Sequence, residues 1–249
     1  MPLFTIDGIP GSGKTTLLRQ LCNIKHLDGK EVIVVFENDK DWQENGLLEK
    51  YYEAPDKYGF LFQLYVVVTR SNALHDTLKE NPNAVVISER IPISDFMFTS
   101  FMHSTNKMSG LEFNLYKCIY KQLKPLKVTG RIYLNCGAEV ALERCRQRQR
   151  PGEQNLSLQY LENLSNYEDD FYNNHEDSLP VETYYIDSTT NVLQEYEEVY
   201  QYLHNEVVKQ EGEKCFEWLT FYVMRMFLLP MLWFLFTFVS PQSGLETNY

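Results

Sequence analysis

Hydrophobic and polar positions follow two alternating patterns along the chain. Short runs rich in β-branched and aromatic residues, typical of strands buried on both faces, recur at intervals. The predicted strands are PLFTID (2–7), EVIVVFE (31–37), PNAVVISER (82–90), RIYLNC (131–136) and VETYYID (181–187). Other segments carry apolar residues at helical spacing, and the predicted helices are 15–27, 45–80, 111–124, 140–148, 156–174 and 191–210. Because strands alternate with helices, the pattern predicts an α/β fold with a parallel, doubly wound sheet.

Length and composition narrow the classes of protein. The chain has 249 residues, 44% of them hydrophobic and 23% charged, which is an ordinary globular balance. Its net charge of −11 argues against nucleic acid as the main partner, because phosphate backbones attract clustered lysines and arginines. The five cysteines form no CxxC pair, which is typical of reduced thiols in a cytoplasmic compartment. We expect no signal peptide, since a glycine-rich loop begins at residue 8.

That loop, DGIPGSGKTTLL (7–18), fits the pattern GxxxxGK[ST] and lies between a predicted strand and a predicted helix. Its glycines let backbone N–H groups surround phosphate oxygens, and the helix N-terminus adds positive potential. In this pattern Lys14 supplies a charge to the β- and γ-phosphates, and Thr15 supplies a hydroxyl to Mg²⁺. The sequence therefore predicts a nucleotide site. Its candidate residues are Gly8, Gly11, Ser12, Gly13, Lys14, Thr15 and Thr16.

Four further stretches carry a family resemblance. They are Glu37-Asn-Asp-Lys-Asp-Trp42, GLLEKYYEAPDKYGFLFQLYVVVTR (46–70), SERIPISD (88–95) and RCRQRQRPGEQNLSLQYLENL (144–164). Together they resemble the deoxynucleoside kinase family, and the likeness runs in one order from about residue 3 to about residue 203. The resemblance implies a P-loop NTPase kinase fold with a five-stranded parallel sheet, helices on both faces and an arginine-rich lid. It also implies ATP- and Mg²⁺-dependent phosphorylation of a deoxynucleoside 5′-hydroxyl, usually by a homodimer.

Charged residues at the ends of two predicted strands are candidates for catalysis. Glu37 ends the second strand, at the carboxyl edge where ligands bind in open α/β sheets. By resemblance Glu37 is the general base for the 5′-hydroxyl. Glu89 and Arg90 end the third strand, where a charged pair is destabilising unless it faces a site. By resemblance Arg90 steadies the 5′-oxygen and the transferring phosphoryl group, Glu89 approaches Mg²⁺, and Lys14 completes the catalytic set.

A basic cluster follows in RCRQRQRPGE (144–153). Arg144 and Arg148 are four residues apart and share one helix face, and Arg150 lies just beyond the helix. The cluster looks like the family's lid, which folds arginines over the transferring phosphate. Arginine suits this role because its planar fork pairs with two oxygens and keeps its charge. We therefore add Arg144, Arg148 and Arg150 to the candidate donor-binding residues.

Three polar positions bear on the base of the substrate. Gln63 can offer a donor and an acceptor to a base edge, but its amide can flip and alone does not separate cytosine from thymine. By resemblance, cytidine- and purine-accepting kinases carry an arginine and an aspartate where this chain has Arg70 and Asp95. An ionised Asp95 favours an exocyclic amine, and Arg70 would pair with it and fill the room that a thymine methyl needs. We therefore expect deoxycytidine and purine deoxynucleosides to be preferred over thymidine.

Aromatic and sugar-facing positions complete the predicted pocket. Trp42, Phe62 and Phe98 would sandwich the base, although core packing is the alternative for any single aromatic residue. By resemblance Tyr52 and Glu153 clamp the 3′-hydroxyl of the sugar.

The C-terminal part of the chain lies outside the resemblance. We predict a kinase domain over 1–212 and a hydrophobic tail over 213–249. Residues 219–239 would span about 31 Å as a helix, close to the thickness of a bilayer core. Three possibilities stay open: a membrane anchor with the kinase domain in the cytosol, a helix packed on the kinase or across a dimer, and a segment in the membrane surface.

Other functions on the same fold also stay open. A nucleoside monophosphate kinase would need a second arginine cluster for the acceptor's phosphate, and the stretch 42–70 offers only Arg70. A non-catalytic assembly subunit would be expected to lose Lys14, Glu37 or Arg90, and this chain keeps all three.

Overall fold

The computed structural model describes residues 1–174, 179 and 181–223, apart from the side chains of residues 39 and 219–223. Its strands are β1 (Leu3–Asp7), β2 (His26–Leu27), β3 (Lys30–Val35), β4 (Val85–Glu89), β5 (Gly130–Asn135) and β6 (Thr183–Asp187). They form one sheet in the order β2-β3-β4-β1-β5-β6. Five of these strands are parallel, as predicted, and only β2 pairs antiparallel, with β3.

The described α-helices are α1 (Lys14–Leu21), α2 (Asp39–Glu44), α3 (Leu47–Glu53), α4 (Pro55–Glu80), α5 (Pro92–Ser104), α6 (Gly110–Tyr120), α7 (Ala138–Arg148), α8 (Leu158–Asn174) and α9 (Tyr196–Val223). Short 3₁₀ turns precede α8 and α9, at Glu153–Asn155 and Val192–Glu195. The helix predicted over 15–27 is too long, because α1 ends at Leu21 and β2 follows.

The helix predicted over 45–80 is divided in the structure. Ala54 separates α3 from α4 with an extended φ of −146° and ψ of 75°. The residue before a proline is kept out of the helical region by the proline ring, whereas Pro55 itself fits the first helical position of α4. The break turns α3 away from α4, so that residues 47–53 and 55–80 form two walls of one cavity described below.

Helix α5 was not predicted. Ten of its residues are buried, among them Asp95, Phe96 and Met97, so it has no polar face to produce a helical period. Such a helix is hard to distinguish by periodicity from a buried strand or an irregular segment.

The sheet positions three chain segments at one edge. All residues of β1 and β4 are buried, as expected for central strands covered on both faces. These two strands pair with Ile6 opposite Glu89, and β3 pairs with β4 through Val35 and Ser88. The glycine-rich loop after β1, Glu37 after β3 and Arg90 after β4 therefore leave the sheet side by side.

The chain divides into two compact units, Met1–Glu206 and Val207–Tyr249. The predicted domain boundary at residue 212 stays a prediction. The five cysteines are free thiols, which agrees with their spacing. Within the described ranges, no helix combines the length and apolarity needed to cross a membrane, and most of the predicted segment 219–239 lies outside those ranges.

Candidate active site

The loop between β1 and α1 has the backbone that the glycine pattern predicts. Gly13 caps α1 with a φ of 103°, which an L side chain rarely adopts. A side chain at Gly11 would begin 2.2 Å from the carbonyl oxygen of Ala141 in α7, so only glycine fits there. The loop residue Ser12 is fully buried.

Lys14 is held inside this loop. Its ammonium group donates to the carbonyl oxygens of Gly8 and Ile9, at 2.9 and 3.0 Å. Burial and the positive charge of Arg90 lower the pKa of Lys14 to about 8, against the effect of Glu89 and Glu37. The Lys14 amino group is therefore only partly protonated in mildly alkaline solution.

Thr15 and Glu89 come together across the central strands. The Thr15 hydroxyl lies 3.1 Å from both carboxylate oxygens of Glu89, to which it donates. Glu89 is buried, with 3% of its surface exposed. A hydroxyl beside a carboxylate is an oxygen donor set of the kind that Mg²⁺ prefers.

Glu37 is clamped by two arginines. Its Oε1 accepts from Nη1 of Arg90 at 2.9 Å and from Nη2 of Arg70 at 3.0 Å. Its Oε2 lies 3.9 Å from Nη1 of Arg150. Burial would raise the pKa of Glu37, but Arg90, Arg70 and Lys14 outweigh it and lower that pKa to about 2. Glu37 is therefore a carboxylate at every physiological pH.

Arg70 and Asp95 form the pair expected from the sequence. Nε of Arg70 donates to Oδ2 of Asp95 at 2.8 Å, and Nη1 donates to the carbonyl oxygen of Glu89 at 2.7 Å. Burial raises the pKa of Asp95 to about 6, although Arg70 acts in the opposite direction. The guanidinium of Arg70 also lies 5.6 Å from the ring centre of Trp42.

The predicted site residues line two cavities. The aromatic cavity is lined by all eight predicted substrate residues. These are Trp42, Tyr52, Phe62, Gln63, Arg70, Asp95, Phe98 and Glu153. The loop cavity is lined by the predicted donor residues Gly11, Gly13, Lys14, Thr15, Thr16, Arg144, Arg148 and Arg150.

The two cavities share one set of charged side chains. Those that line both are Lys14, Glu37, Glu89, Arg148 and Arg150. Two ligands that filled the two cavities would therefore meet at these shared side chains.

The predicted lid arginines make different contacts. Arg148 donates to both carboxylate oxygens of Glu153, at 2.6 and 3.2 Å, and Nη1 of Arg150 lies 3.7 Å from the same carboxylate. Arg144 instead donates to the carbonyl oxygens of residues 188, 189 and 190, at 2.8, 3.1 and 2.8 Å. Arg148 and Arg150 thus face both cavities, whereas Arg144 secures the loop after β6.

Aromatic packing orders the wall of the aromatic cavity. The ring of Phe62 stacks on Tyr51 at 4.6 Å and meets Trp42 edge-on at 5.7 Å. The Arg90 guanidinium lies 4.7 Å from the ring centre of Phe98. Gly152, at a φ of 87°, leaves room for Tyr52, because a side chain there would begin 2.5 Å from the tyrosine ring.

Several lining residues were not predicted. Tyr51 and Tyr160 face the aromatic cavity together with Leu48 and Val66. Tyr51 adjoins the predicted Tyr52, and Tyr160 lies within the stretch 144–164 that carries the resemblance. The structure brings both Tyr51 and Tyr52 to the cavity, whereas the sequence analysis assigns a substrate contact only to Tyr52.

Comparisons with known proteins agree with this geometry. A model of the deoxynucleoside kinase family matches residues 4–210. The chain is 28% identical to the deoxyadenosine kinase of Dictyostelium discoideum over 183 residues, 71% of this chain and 69% of the relative. It is 29% identical to the deoxycytidine kinase of Homo sapiens over 184 residues, 64% of this chain and 71% of the relative.

A solved structure is similar in fold. It is a deoxyadenosine kinase from M. mycoides with the products dCMP and a flexible dCDP bound. The superposition has a TM-score of 0.67 at 24% identity and covers 82% of this chain and 99% of the other.

Proposed function

Since the chain belongs to the deoxynucleoside kinase family and has the P-loop kinase fold, we propose that it transfers the γ-phosphoryl group of ATP to the 5′-hydroxyl of a deoxynucleoside in nucleotide salvage. One observation carries the proposal: the loop cavity and the aromatic cavity meet at Glu37, Lys14 and Arg150. In-line transfer needs a donor, an acceptor and the groups between them in this arrangement.

Glu37 orients the acceptor. A carboxylate with a pKa of about 2 is a weak base for a ground-state alcohol. In a loose transition state the hydroxyl oxygen has only begun to bond to phosphorus. The hydroxyl becomes acidic as that bond forms. Glu37 therefore accepts a hydrogen bond from the 5′-hydroxyl first and takes its proton late. Oε1 is already engaged by Arg70 and Arg90, which leaves Oε2 for the hydroxyl.

Lys14, Arg90, Arg148 and Arg150 stabilise the charge of the transferring group. All four are near Glu37 or line the cavity that it faces. Arg148 and Arg150 are paired with Glu153, so they exchange part of that pairing for phosphate oxygens when the donor is bound. Fixed positive groups at the transferred phosphoryl are the main source of catalysis in such reactions.

Thr15 and Glu89 would hold Mg²⁺ together with the donor phosphates. In the described part of the chain, no group of three or more His, Cys, Asp or Glu side chains could bind a metal by itself. One hydroxyl and one carboxylate suit Mg²⁺, which is usually held by one or two carboxylates and the substrate's phosphates. The ion neutralises phosphate charge when bound.

The Arg70–Asp95 pair supports a preference for deoxycytidine and purine deoxynucleosides over thymidine. Asp95 offers acceptor oxygens for an exocyclic amine, and Arg70 occupies the adjacent space. Trp42, Phe62 and Phe98 provide the apolar walls for the base. Tyr52 and Glu153 are the proposed contacts of the 3′-hydroxyl.

A homodimer is part of the same proposal. Leu111 and Leu115 lie one turn apart on α6 and are 71% and 47% exposed, and Leu61 of α4 is 54% exposed. Exposed leucines on two helices that pack together are typical of a surface that another subunit covers. Sedimentation equilibrium of the wild type and of Leu111→Glu tests this. A monomeric wild type contradicts it.

The proposed location is the cytoplasm, with membrane contact through residues 219–239. The support is the apolar sequence of that segment alone. Detergent-free partitioning of the full chain against a chain that ends at Gly212 tests the contact. Equal partitioning of the two chains would contradict it.

The decisive assay for the proposed function uses the purified full chain, Mg-ATP and each of the four common deoxynucleosides in turn. We expect 5′-monophosphates, with deoxycytidine or a purine deoxynucleoside giving the highest kcat/KM. No turnover with any of the four contradicts the kinase proposal, and thymidine as the best substrate contradicts the proposed preference.

A further inference from the structure

The amide of Gln63 is held at its nitrogen end. Gln63 lies on α4, lines the aromatic cavity and is 4% exposed. Its Nε2 donates to Sδ of Met102 in α5 at 3.7 Å, within the distance of a hydrogen bond to sulfur. Met102 is itself 4% exposed and does not line the aromatic cavity. It therefore contacts Gln63 from the side that faces away from this cavity.

A glycine makes this approach possible. Gly59 precedes Gln63 by one turn of α4, and a side chain there would begin 2.2 Å from Cε of Met102. The methyl group of Met102 therefore occupies the space that any other residue at 59 would fill. The sulfur lies 3.4 Å from the same position, so a side chain at residue 59 would displace the methyl group of Met102 first.

A second group contacts the amide but does not fix its orientation. The Tyr51 side chain lines the same cavity as Gln63 and Tyr160, and both act on its hydroxyl. A hydroxyl donates or accepts, so it would adapt to either orientation of the amide. A thioether has no hydrogen to donate, and it favours only the orientation in which Nε2 faces it. Met102 is therefore the contact that decides between the two orientations of Gln63.

We propose that Met102 is a positioning residue for base selection, which holds Gln63 so that its carbonyl Oε1 is presented to the base. The inference rests on the proposed kinase function and specifies how its site reads the substrate. With Nε2 directed to Met102, Oε1 is the opposite end of the amide and is left for the cavity. The carboxylate of Asp95 lines the same cavity and is also an acceptor.

Two acceptors select a base with an exocyclic amine. The amine of cytosine or adenine has two hydrogens to donate, whereas thymine presents a carbonyl oxygen at the corresponding place. Facing that oxygen with acceptors leaves buried polar groups unpaired, which is the stronger kind of discrimination. The chain therefore discriminates through the orientation of Gln63 as well as through the charge of Asp95.

The test compares kcat/KM for deoxycytidine and thymidine in Met102→Leu and in the wild type. Leucine keeps the apolar volume but removes the acceptor. We expect the ratio of deoxycytidine to thymidine to fall by ~5-fold or more, mainly through a higher KM for deoxycytidine. Met108→Leu is the matched control, because Met108 is 4% exposed and belongs to the same core cluster as Met102. Its ratio stays at the wild-type value.

A second variant keeps the sulfur and displaces the methyl group beside it. A side chain in Gly59→Ala would begin 2.2 Å from Cε of Met102, so the thioether has to reorient, and we expect the ratio to fall in the same direction. A purely structural role for Met102 would lower kcat/KM for both substrates together and leave their ratio unchanged, which overturns the inference. If the Met102→Leu protein fails to fold, the Gly59→Ala protein decides the matter. A wild-type ratio in Gly59→Ala then overturns the inference. No turnover by the wild type overturns the kinase proposal itself, whereas an active wild type that prefers thymidine overturns only the inference and the base preference.

Discussion

Arg90 donates from Nη1 to Oε1 of Glu37 at 2.9 Å, and it does so from a backbone φ of 62°. A left-handed φ at a non-glycine residue that directly follows a buried strand is strained, and such strain is concentrated at functional sites. The same guanidinium donates from Nη2 to the carbonyl oxygen of Gly8 in the loop at 3.0 Å. Arg90 thus joins the proposed base to the phosphate-binding loop through one rigid group.

Replacing this arginine should change both the rate and its pH dependence. Burial raises the pKa of Glu37 and Arg90 is the strongest influence that lowers it, so Arg90→Met should move that pKa upward from about 2. We expect kcat to fall by ~10²-fold or more. We also expect an acidic limb to appear in the profile of kcat/KM above pH 4. Arg146→Met, at an exposed position of α7, is the control. A profile with wild-type shape in Arg90→Met would refute this account of Glu37.

Lys14 should take up a proton when ATP binds in mildly alkaline buffer. Burial and Arg90 lower the pKa of Lys14 to about 8, so about half of its amino groups are protonated at pH 8. Phosphate charge favours the protonated form, and we expect an uptake of ~0.5 proton at pH 8 that disappears at pH 6.5. Calorimetric titrations in two buffers of different ionisation enthalpy measure it. Equal heats in both buffers at pH 8 would contradict the prediction.

The preference for deoxycytidine should weaken in acid. Burial raises the pKa of Asp95 to about 6, so the group is an acceptor above that pH and a protonated donor below it. We expect the ratio of kcat/KM for deoxycytidine to that for thymidine to fall as the pH drops from 8 to 5. Asp95→Asn should have a ratio that no longer depends on pH. A wild-type ratio that stays constant over this range would exclude Asp95 as the discriminating acceptor.

A buried ionic network beneath the loop should set the pH dependence of stability. Arg131 donates to Asp7 at 3.2 Å and to Glu168 at 3.1 Å, and burial raises the pKa of Glu168 to about 7 against the effect of Arg131. Between the ordinary carboxyl pKa and 7 the folded state holds a proton that the unfolded state has released. The contribution of Glu168 to the free energy of unfolding therefore declines as pH rises through this window.

The variant Glu168→Gln isolates this contribution, because it keeps the shape of the side chain but does not titrate. We expect the urea midpoint of the wild type to fall more steeply between pH 5 and 8 than that of the variant. Glu143→Gln, an exposed position on α7, is the control. Parallel pH dependences in wild type and Glu168→Gln would contradict the raised pKa.

Local patterns predict what the chain does locally. Apolar runs predicted the five parallel strands, and the glycine pattern predicted the loop at Gly11 and Gly13, because each depends on neighbouring residues only. The pairing of Arg70 with Asp95 was also predicted, since the resemblance places both at one substrate edge. Pro55 indicates a helix boundary at Ala54, because proline keeps the preceding residue out of the helical region. The single helix predicted over 45–80 does not take this into account.

Contacts between distant segments were not predictable in the same way. The contact of Met102 with Gln63, beside Gly59, has no signal in the sequence, because it exists only once α4 and α5 pack against each other. Arg144 looked like a phosphate ligand, but its hydrogen bonds to residues 188–190 depend on where β6 ends. Its contact with the donor stays a prediction.

The central claim is that Glu37 serves the oxygen that receives the phosphoryl group, and one substitution addresses it directly. Glu37→Gln keeps the size and hydrogen-bonding reach of the side chain but removes the charge that accepts the proton. With Mg-ATP and deoxycytidine, or whichever deoxynucleoside the wild type phosphorylates best, we predict a kcat lower by ~10²–10⁴-fold. Binding of ATP should change little, and Glu44→Gln, exposed at the end of α2, should retain full activity. A Glu37→Gln enzyme that turns over as fast as the wild type would contradict the proposed mechanism.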